Sequence, residues 1–174
     1  MDCEPDDKVL ALFEEYENLQ EDLVNSMSGL AAINRRYGPH LVVAAASSLE
    51  DKVKLGMPLI IGRRAGVQLA DFAKFHVFAR KYHTLFEWNQ ATAAPFFASF
   101  GGDCKARFRS KLTTDERFNQ GHGDFMSLGQ ERNTIVHNNF AAQTVSSTPE
   151  EIVKKYKNAV DFIACFEDLI FGAD

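Results

Sequence analysis

The 174-residue sequence has only three cysteines, and they are poorly placed for a disulfide framework. Cys3, Cys104 and Cys165 are widely separated and form no CxxC pair, which argues against stable disulfides and against a thiolate zinc site. The sequence also lacks a run of roughly 20 apolar residues, the length needed to span a bilayer. Its first residues are acidic and polar, unlike a signal or transit peptide. We therefore expect a cytoplasmic protein that makes no contact with a membrane.

Patterns typical of β-structure are also missing. Apolar and polar residues do not alternate over strand-length segments, and Asn-Gly hairpin turns do not occur. The sequence has no internal repeat and no low-complexity tract. Its 45% hydrophobic and 25% charged residues are ordinary for a globular chain. The sequence therefore predicts an all-α fold, a single helical bundle of about five to seven helices over residues 1–174.

Apolar residues spaced three and four apart predict where the helices lie. The predicted helices cover about residues 6–34, 41–55, 67–86, 105–112, 115–138 and 149–171, and a short helix lies within residues 88–100. The first is acidic and should be followed by a turn over residues 35–39, which includes Gly38-Pro39, and residues 56–66 should form a loop or a short extended piece. The last should begin with a capping box, in which Thr148 is the N-cap and Glu151 pairs with it.

Charge is distributed unevenly along the chain. The net charge of −5 is not what a whole-surface nucleic-acid binder shows. The first 25 residues are strongly acidic, whereas the balance reverses near residue 105. Since a local basic patch can bind phosphate on an acidic protein, four residues form a candidate RNA-binding patch: Lys105, Arg107, Arg109 and Lys111. A solvated charged face explains the same residues equally well.

The helix over 115–138 carries an arginine on its apolar face. Its apolar stripe consists of Phe125, Leu128, Ile135 and Val136. Arg132 falls inside that stripe, where a guanidinium is costly unless a carboxylate or phosphate pairs with it. Glu50, at the junction of the apolar and charged halves of the second helix, is the natural candidate. The alternative is a solvated Glu50. Asn133 and His137 are four residues apart and share a neighbouring face.

The spacing Arg-x4-His is weak evidence by itself, because this sequence contains it three times. Gly38-Pro39 interrupts the Arg35–His40 pair, and Gly121 interrupts the Arg117–His122 pair, so we expect neither to keep helical geometry. The Arg132–His137 pair lies on an uninterrupted amphipathic segment. That context makes it the candidate site.

Two other histidines, His76 and His83, are seven residues apart and could share a helical face. Without a third ligand they make a poor metal site, so we interpret them as packing residues. No metal and no cofactor is predicted.

The segment Arg132-Asn133-Thr134-Ile135-Val136-His137 resembles the Rx4-6H motif of the HEPN superfamily of helical domains, including the Asn that often follows the Arg. Further segments look like the RiboL-PSP-associated HEPN subgroup: KYHTLFEW at residues 81–88, Phe96-Phe97 before Phe100-Gly101, Thr148-Pro149-Glu150-Glu151, and Ser48-Leu49-Glu50 on the second helix. The resemblance covers about residues 40–170.

This resemblance implies a metal-independent endoribonuclease that acts as a homodimer, in which two copies of the motif meet in a cleft between protomers. His137 would act as general base or acid, and Arg132 would stabilise the growing phosphate charge. Asn133 would orient His137 or donate to a phosphoryl oxygen. The expected supporting residues are Glu50, which would hold Arg132 when no RNA is bound, Ser47 and Asn138. Such an enzyme would be a toxin or defence effector, with an antitoxin or sensor protein as its partner.

Two alternatives remain open at this point. One is a catalytically silent HEPN-like module that binds RNA or a protein through the same face. The other is purely structural: Arg132 is a buried ion-pair residue, and His137 and Asn138 form a helix C-terminus. There a charged histidine suits the carbonyl end of the helix dipole, and an asparagine caps the helix.

Overall fold

The computed structural model describes residues 4–138 and 143–172, and their regular structure is helical apart from one isolated bridge between Glu87 and Thr92. The all-α prediction is confirmed. The helices are α1 (Asp7–Asp22), α2 (Met27–Ala65), α3 (Val67–Ala73), α4 (Ala79–Leu85), α5 (Ala94–Ala98), α6 (Gly102–Thr114), α7 (Glu116–His137), α8 (Pro149–Ala164) and α9 (Phe166–Phe171). A π-helical segment, Lys74–Phe78, joins α3 to α4, and a 3-10 turn, Trp88–Gln90, follows. Across the described ranges, no helix combines the length and apolarity of a membrane span.

The N-terminal helix predicted over residues 6–34 is wrong in its extent. The chain leaves α1 at Leu23, and a new helix begins after Ser26. The Ser26 hydroxyl accepts a hydrogen bond from the backbone N of Gly29 at 3.2 Å, which satisfies one of the free donors at the start of α2. A local N-cap therefore divides a segment whose apolar spacing looks continuous.

Helix α2 continues through the turn predicted at Gly38-Pro39 and through the loop predicted over residues 56–66, so both predictions are wrong. It ends at Gly66, whose φ of 96° suits glycine. Gly38 serves packing instead of a turn, since a Cβ at that position would overlap the Val145 side chain. Tertiary contacts thus override the local tendency of Gly and Pro to end a helix.

The other helix predictions agree better with the structure. The helix predicted over 115–138 is α7, with Asp115 as its N-cap. The helix predicted over 149–171 is divided by Cys165 into α8 and α9, and its capping box, formed by Thr148 and Glu151, is present. Cys104 and Cys165 are free thiols, and Cys3 lies outside the described residues.

An aromatic cluster fills the centre of the bundle. Phe162 on α8 has its ring centroid 5.1–6.3 Å from the rings of Phe97, Phe118, His122, Phe125 and Phe166. Helix α7 approaches α8 closely at Gly121, where a Cβ would lie 2.5 Å from the carbonyl O of Asn158. This close approach fixes α7 against the core.

His122 is a buried histidine that should make stability depend on pH. Its Nε2 accepts a hydrogen bond from the backbone N of Ala93 at 3.1 Å, and its ring contacts Phe108 and Phe162. Burial lowers the pKa of His122 from 6.5 to about 4. Between these values the unfolded chain binds a proton that the folded chain excludes. The free energy of unfolding should therefore fall as the pH is lowered from about 6.5 towards 4.

Urea unfolding at a series of pH values measures this effect. The pKa shift of His122 corresponds to a change of roughly 3 kcal/mol in the free energy of unfolding. His122→Gln keeps an acceptor for Ala93 but cannot titrate, so its stability should depend less on pH in this interval. An unchanged pH dependence in His122→Gln would show that another group is responsible.

Candidate active site

The C-terminal half of α7 faces the middle of α2 and the end of α4. Five polar side chains come together there, and we name them the Arg132 cluster: Arg132, Asn133 and His137 from α7, Glu50 from α2 and His83 from α4. The buried Tyr82 is affected by opposite charges of this cluster. Burial raises the pKa of Tyr82, Glu50 raises it further, and Arg132 lowers it.

Arg132 is half-buried, and at least one of its hydrogen-bond donors is unpaired within the described residues. Its Nη1 donates to Asn133 Oδ1 at 3.2 Å, whereas its Nε is buried without a hydrogen-bond partner among the described residues. Leaving such a donor unsatisfied costs roughly 1–3 kcal/mol. No carboxylate within residues 4–138 and 143–172 forms an ion pair with Arg132. The guanidinium therefore keeps donors that suit a phosphate group.

The ion pair predicted between Glu50 and Arg132 is not formed. One carboxylate oxygen of Glu50 pairs with Lys54, which lies one turn further along α2. The other oxygen lies 3.9 Å from Nε2 of His83. A lysine at i+4 reaches the carboxylate along one helix face, whereas Arg132 would have to reach it from another helix. Glu50 therefore belongs to the Arg132 cluster through His83.

His83 is the site residue that the sequence analysis missed. We interpreted it as a packing histidine, but its side chain is 51% exposed and its ring faces Glu50. Partial burial lowers the pKa of His83. Glu50 raises that pKa, and Arg132, Lys54 and His137 lower it. The sequence feature that could have identified His83 as a site residue is its position inside the segment KYHTLFEW, which carries part of the family resemblance.

Asn133 is hydrogen-bonded to Arg132, and no hydrogen bond joins it to His137 within the described residues. Its Oδ1 accepts the hydrogen bond from Arg132 Nη1, so the predicted orientation of His137 by this oxygen is not seen. The second predicted role, donation from the Asn133 amide to a phosphoryl oxygen, is compatible with this contact. His137 itself is exposed on the last turn of α7.

The other two supporting residues predicted from the sequence have different surroundings. Asn138 caps α7, since its Nδ2 and its backbone N donate to the carbonyl O of Thr134 at 2.9 and 3.1 Å. Ser47 is half-buried on α2, three residues before Glu50. Its neighbour Ser48 is buried and shares a 2.8 Å hydrogen bond with the hydroxyl of Tyr156. Asn138 and Ser48 therefore have structural roles.

Two members of the predicted basic patch make intramolecular contacts. Arg107 donates from Nε and Nη2 to the carbonyl oxygens of Leu169 and Ile170 at 2.8 and 2.9 Å. These bonds satisfy carbonyls near the end of α9, where a cation also suits the helix dipole. Lys111 forms an ion pair with Asp115 at 3.2 Å. Arg107 is thus a structural residue.

Lys105 and Arg109 are four residues apart and share one face of α6, whereas Arg107 and Lys111 lie about 200° away around the helix. Helix α6 packs near the start of α7, since the ring of Phe108 contacts that of Phe118. At 1.5 Å per residue, Phe118 is about 28 Å from His137 along α7. The four residues therefore lie on two different faces of α6 and do not form one patch, and RNA binding by Lys105 and Arg109 stays a prediction.

The structure also changes the reason for preferring one Arg-x4-His pair. The Arg35–His40 and Arg117–His122 pairs both lie inside continuous helices, so the expected interruptions are wrong. Surroundings distinguish the pairs instead. His122 is buried in the aromatic core, and His40 is exposed with its Nδ1 2.7 Å from the carbonyl O of Arg36. The Arg132–His137 pair adjoins ionisable side chains from two other helices.

Comparison with known proteins identifies the fold family. A family model described as RiboL-PSP-HEPN matches residues 13–171. The chain belongs to the RiboL-PSP-HEPN family. The resemblance found in the sequence is thereby confirmed. HEPN domains are often ribonucleases or RNA-binding modules, and they often dimerise. No curated protein and no solved structure gives a significant match.

In this HEPN domain, Trp88 holds α4 against α7. Its indole Nε1 donates to the carbonyl O of His83 at 2.9 Å. The indole ring lies on the bare backbone of Gly129, where a Cβ would overlap its six-membered ring. Gly129 is about one turn before Arg132 on α7. The absence of a side chain at Gly129 therefore sets how closely His83 approaches Arg132.

Gly129→Ala should displace Trp88 and destabilise the HEPN domain by about 1 kcal/mol. Overpacking typically costs about 1–3 kcal/mol, and the better helix propensity of alanine offsets about 1 kcal/mol of that. Trp88 is the sole tryptophan of the sequence, so its fluorescence emission reports the displacement directly. Unchanged emission together with unchanged stability would contradict the packing described here.

Proposed function

We propose that the protein is a metal-independent endoribonuclease that cleaves RNA through attack of the ribose 2′-OH. The observation that carries the proposal is the Arg132 guanidinium, whose buried Nε has no hydrogen-bond partner in the described part of the chain. Arg132 and His137 both lower the pKa of His83, so a cation and a second imidazole belong to the electrostatic surroundings of His83. Phosphate recognition and proton transfer are the two requirements of this reaction.

Each residue has a defined role in the proposed reaction. Arg132 binds the scissile phosphate and stabilises the negative charge that grows on its oxygens in the transition state. Asn133 donates from its amide to a phosphoryl oxygen and, through Oδ1, keeps Arg132 in place. His137 transfers a proton, since an imidazole is the side chain suited to that task near neutral pH. The products are a 2′,3′-cyclic phosphate and a 5′-hydroxyl.

A homodimer is part of the proposal, since a second copy of the motif would complete the cleft. Large apolar side chains lie more than half exposed on α2, α3 and the π-helical segment: Leu55, Leu59, Val67, Leu69, Phe72 and Phe75. Clusters of this kind mark protein interfaces. The charge-introducing double variant Leu55→Glu with Leu59→Glu should convert a dimer into a monomer in sedimentation. Wild-type protein that sediments as a monomer at micromolar concentration would remove the composite site.

Incubation of the purified protein with mixed RNAs in EDTA tests the proposed activity. We expect fragments from RNA and none from DNA of the same sequence, because DNA lacks the 2′-OH. Cleavage that appears only after a divalent cation is added would contradict a metal-independent mechanism. Equal cleavage by the wild type and by a variant without His137 would exclude the proposed site.

A catalytically silent HEPN-like module that binds RNA or a protein is the second candidate function. It is favoured by the contact of Asn133 with Arg132, which leaves His137 without the amide partner predicted for it. RNA binding without cutting would support the silent module. For either candidate we propose, on family membership alone, a toxin or defence role with an antitoxin or sensor protein as partner.

A further inference from the structure

We infer that His83 is the general base of the cleavage reaction and that Glu50 positions it, so that one chain carries both proton-transfer groups. The inference rests on the proposed endoribonuclease function and adds a catalytic residue to it. It also changes which chain of the dimer supplies the general base, because the base would not have to be His137 of a second copy.

The position of His83 suits a base that meets a substrate. Its side chain is half-exposed, so RNA can reach it, while its backbone is anchored by the hydrogen bond from Trp88. Its Nε2 is the ring nitrogen that faces Glu50, at 3.9 Å. A carboxylate on that side favours the proton on Nε2 and leaves Nδ1 unprotonated. Nδ1 is then the atom that accepts a proton.

The charged groups that affect the pKa of His83 lie on two other helices. Glu50 and Lys54 face it from α2, and Arg132 and His137 face it from α7. Partial burial, Arg132, Lys54 and His137 lower its pKa, while Glu50 raises it, and the net direction is downward. His83 is therefore mostly neutral at pH 7, the state that a general base requires.

The proposed step balances within one chain. Nδ1 of His83 takes the proton of the 2′-OH, and the 2′-oxygen forms a bond to phosphorus. The bond from phosphorus to the 5′-oxygen breaks, and His137 donates a proton to that leaving oxygen. The products are the cyclic phosphate and the 5′-hydroxyl. The positive charge of Arg132 stabilises the phosphate during both proton transfers.

The pH dependence of cleavage distinguishes a base from a residue that only supports the fold. We expect His83→Ala to lower the single-turnover rate at saturating RNA by about 10²-fold or more and to remove the acidic limb of the pH–rate profile. His40→Ala is the matched control, because His40 is an exposed histidine on α2 that belongs neither to the Arg132 cluster nor to the apolar surface proposed for the dimer. It should leave both the rate and the profile unchanged.

Glu50 and Lys54 are neighbours on one face of α2 and have opposite effects on the pKa of His83. Variants of the two residues should therefore shift the pH–rate profile in opposite directions. Glu50→Gln removes the charge that raises the His83 pKa, so the acidic limb should move to lower pH. Lys54→Met removes a charge that lowers this pKa, so the limb should move to higher pH. A purely structural role for these residues predicts lost activity without such opposed shifts.

The outcomes separate the inference from the proposed function on which it rests. Wild-type protein that cuts no RNA overturns both. Wild-type cleavage together with a His83→Ala rate within about threefold of it, or with an acidic limb retained in His83→Ala, overturns the inference and leaves the endoribonuclease standing. A large loss of rate, a missing limb and opposed shifts in the two α2 variants support it. Thermal unfolding of each variant checks that the fold is retained.

Discussion

Replacing His137 by alanine is expected to lower RNA cleavage by about 10²- to 10⁴-fold, the usual contribution of a proton-transfer group. His137 is exposed on the last turn of α7, so its removal leaves no cavity and should not alter stability. Single-turnover rates with protein in excess over RNA measure the effect on the chemical step. His40→Ala is the control, because His40 is also exposed and also follows an arginine by five residues. An equal loss in both variants would show that the Arg132 cluster is not the site.

Arg132→Lys tests the phosphate contact without removing the charge. Lysine lacks the planar fork and the Nε that lies buried in the site, so we expect cleavage to fall by roughly 10- to 10³-fold. Arg35→Lys, which changes the arginine of the Arg35–His40 pair, should leave cleavage unchanged. Full activity of Arg132→Lys would mean that only a positive charge is needed at this position.

Gly121→Ala should cause the largest loss of stability among the glycine variants of α7. A Cβ at Gly121 would lie 2.5 Å from the carbonyl O of Asn158 and 3.1 Å from the Cβ of Phe162. The first of these atoms belongs to the backbone of α8 and cannot rotate away, so the two helices must separate. We expect the free energy of unfolding to fall by about 2 kcal/mol or more, measured by urea unfolding.

Gly123→Ala is the matched control for that prediction. It lies two residues away on the same helix, and a Cβ there would meet no atom within 4 Å. Since alanine favours a helix over glycine, this variant should gain about 0.5–1 kcal/mol. Equal effects of the two substitutions would contradict the packing of α7 on α8.

Helix α7 could be predicted from the sequence because its determinants are local. An N-cap at Asp115, apolar residues three and four apart and an end in polar residues all lie within one segment. The continuity of α2 could not be predicted, because it depends on distant contacts. Gly38 lies against Val145, more than a hundred residues later in the chain, and no local pattern at Gly38-Pro39 reveals this.

The same distinction between local determinants and distant contacts applies to the candidate site. Arg132, Asn133 and His137 share one helix, and their position on an uninterrupted amphipathic segment selected them where the spacing alone did not. The partner of Glu50 depends on which helices converge, and the structure pairs it with Lys54 and His83 in place of Arg132. Likewise, the charge of Arg107 suggested RNA binding, whereas its hydrogen bonds to α9 could not be read from its neighbours in sequence.

The end groups of the RNA fragments test the central claim most directly. After digestion in EDTA, mass spectrometry should find a 2′,3′-cyclic phosphate on one fragment and a 5′-hydroxyl on the next, and over the same time His137→Ala should yield about 10²- to 10⁴-fold less of both. These ends arise when the 2′-oxygen attacks phosphorus and the 5′-oxygen leaves with a proton. Fragments that carry a 3′-hydroxyl and a 5′-phosphate would contradict attack by the 2′-oxygen and with it the mechanism proposed for the Arg132 cluster.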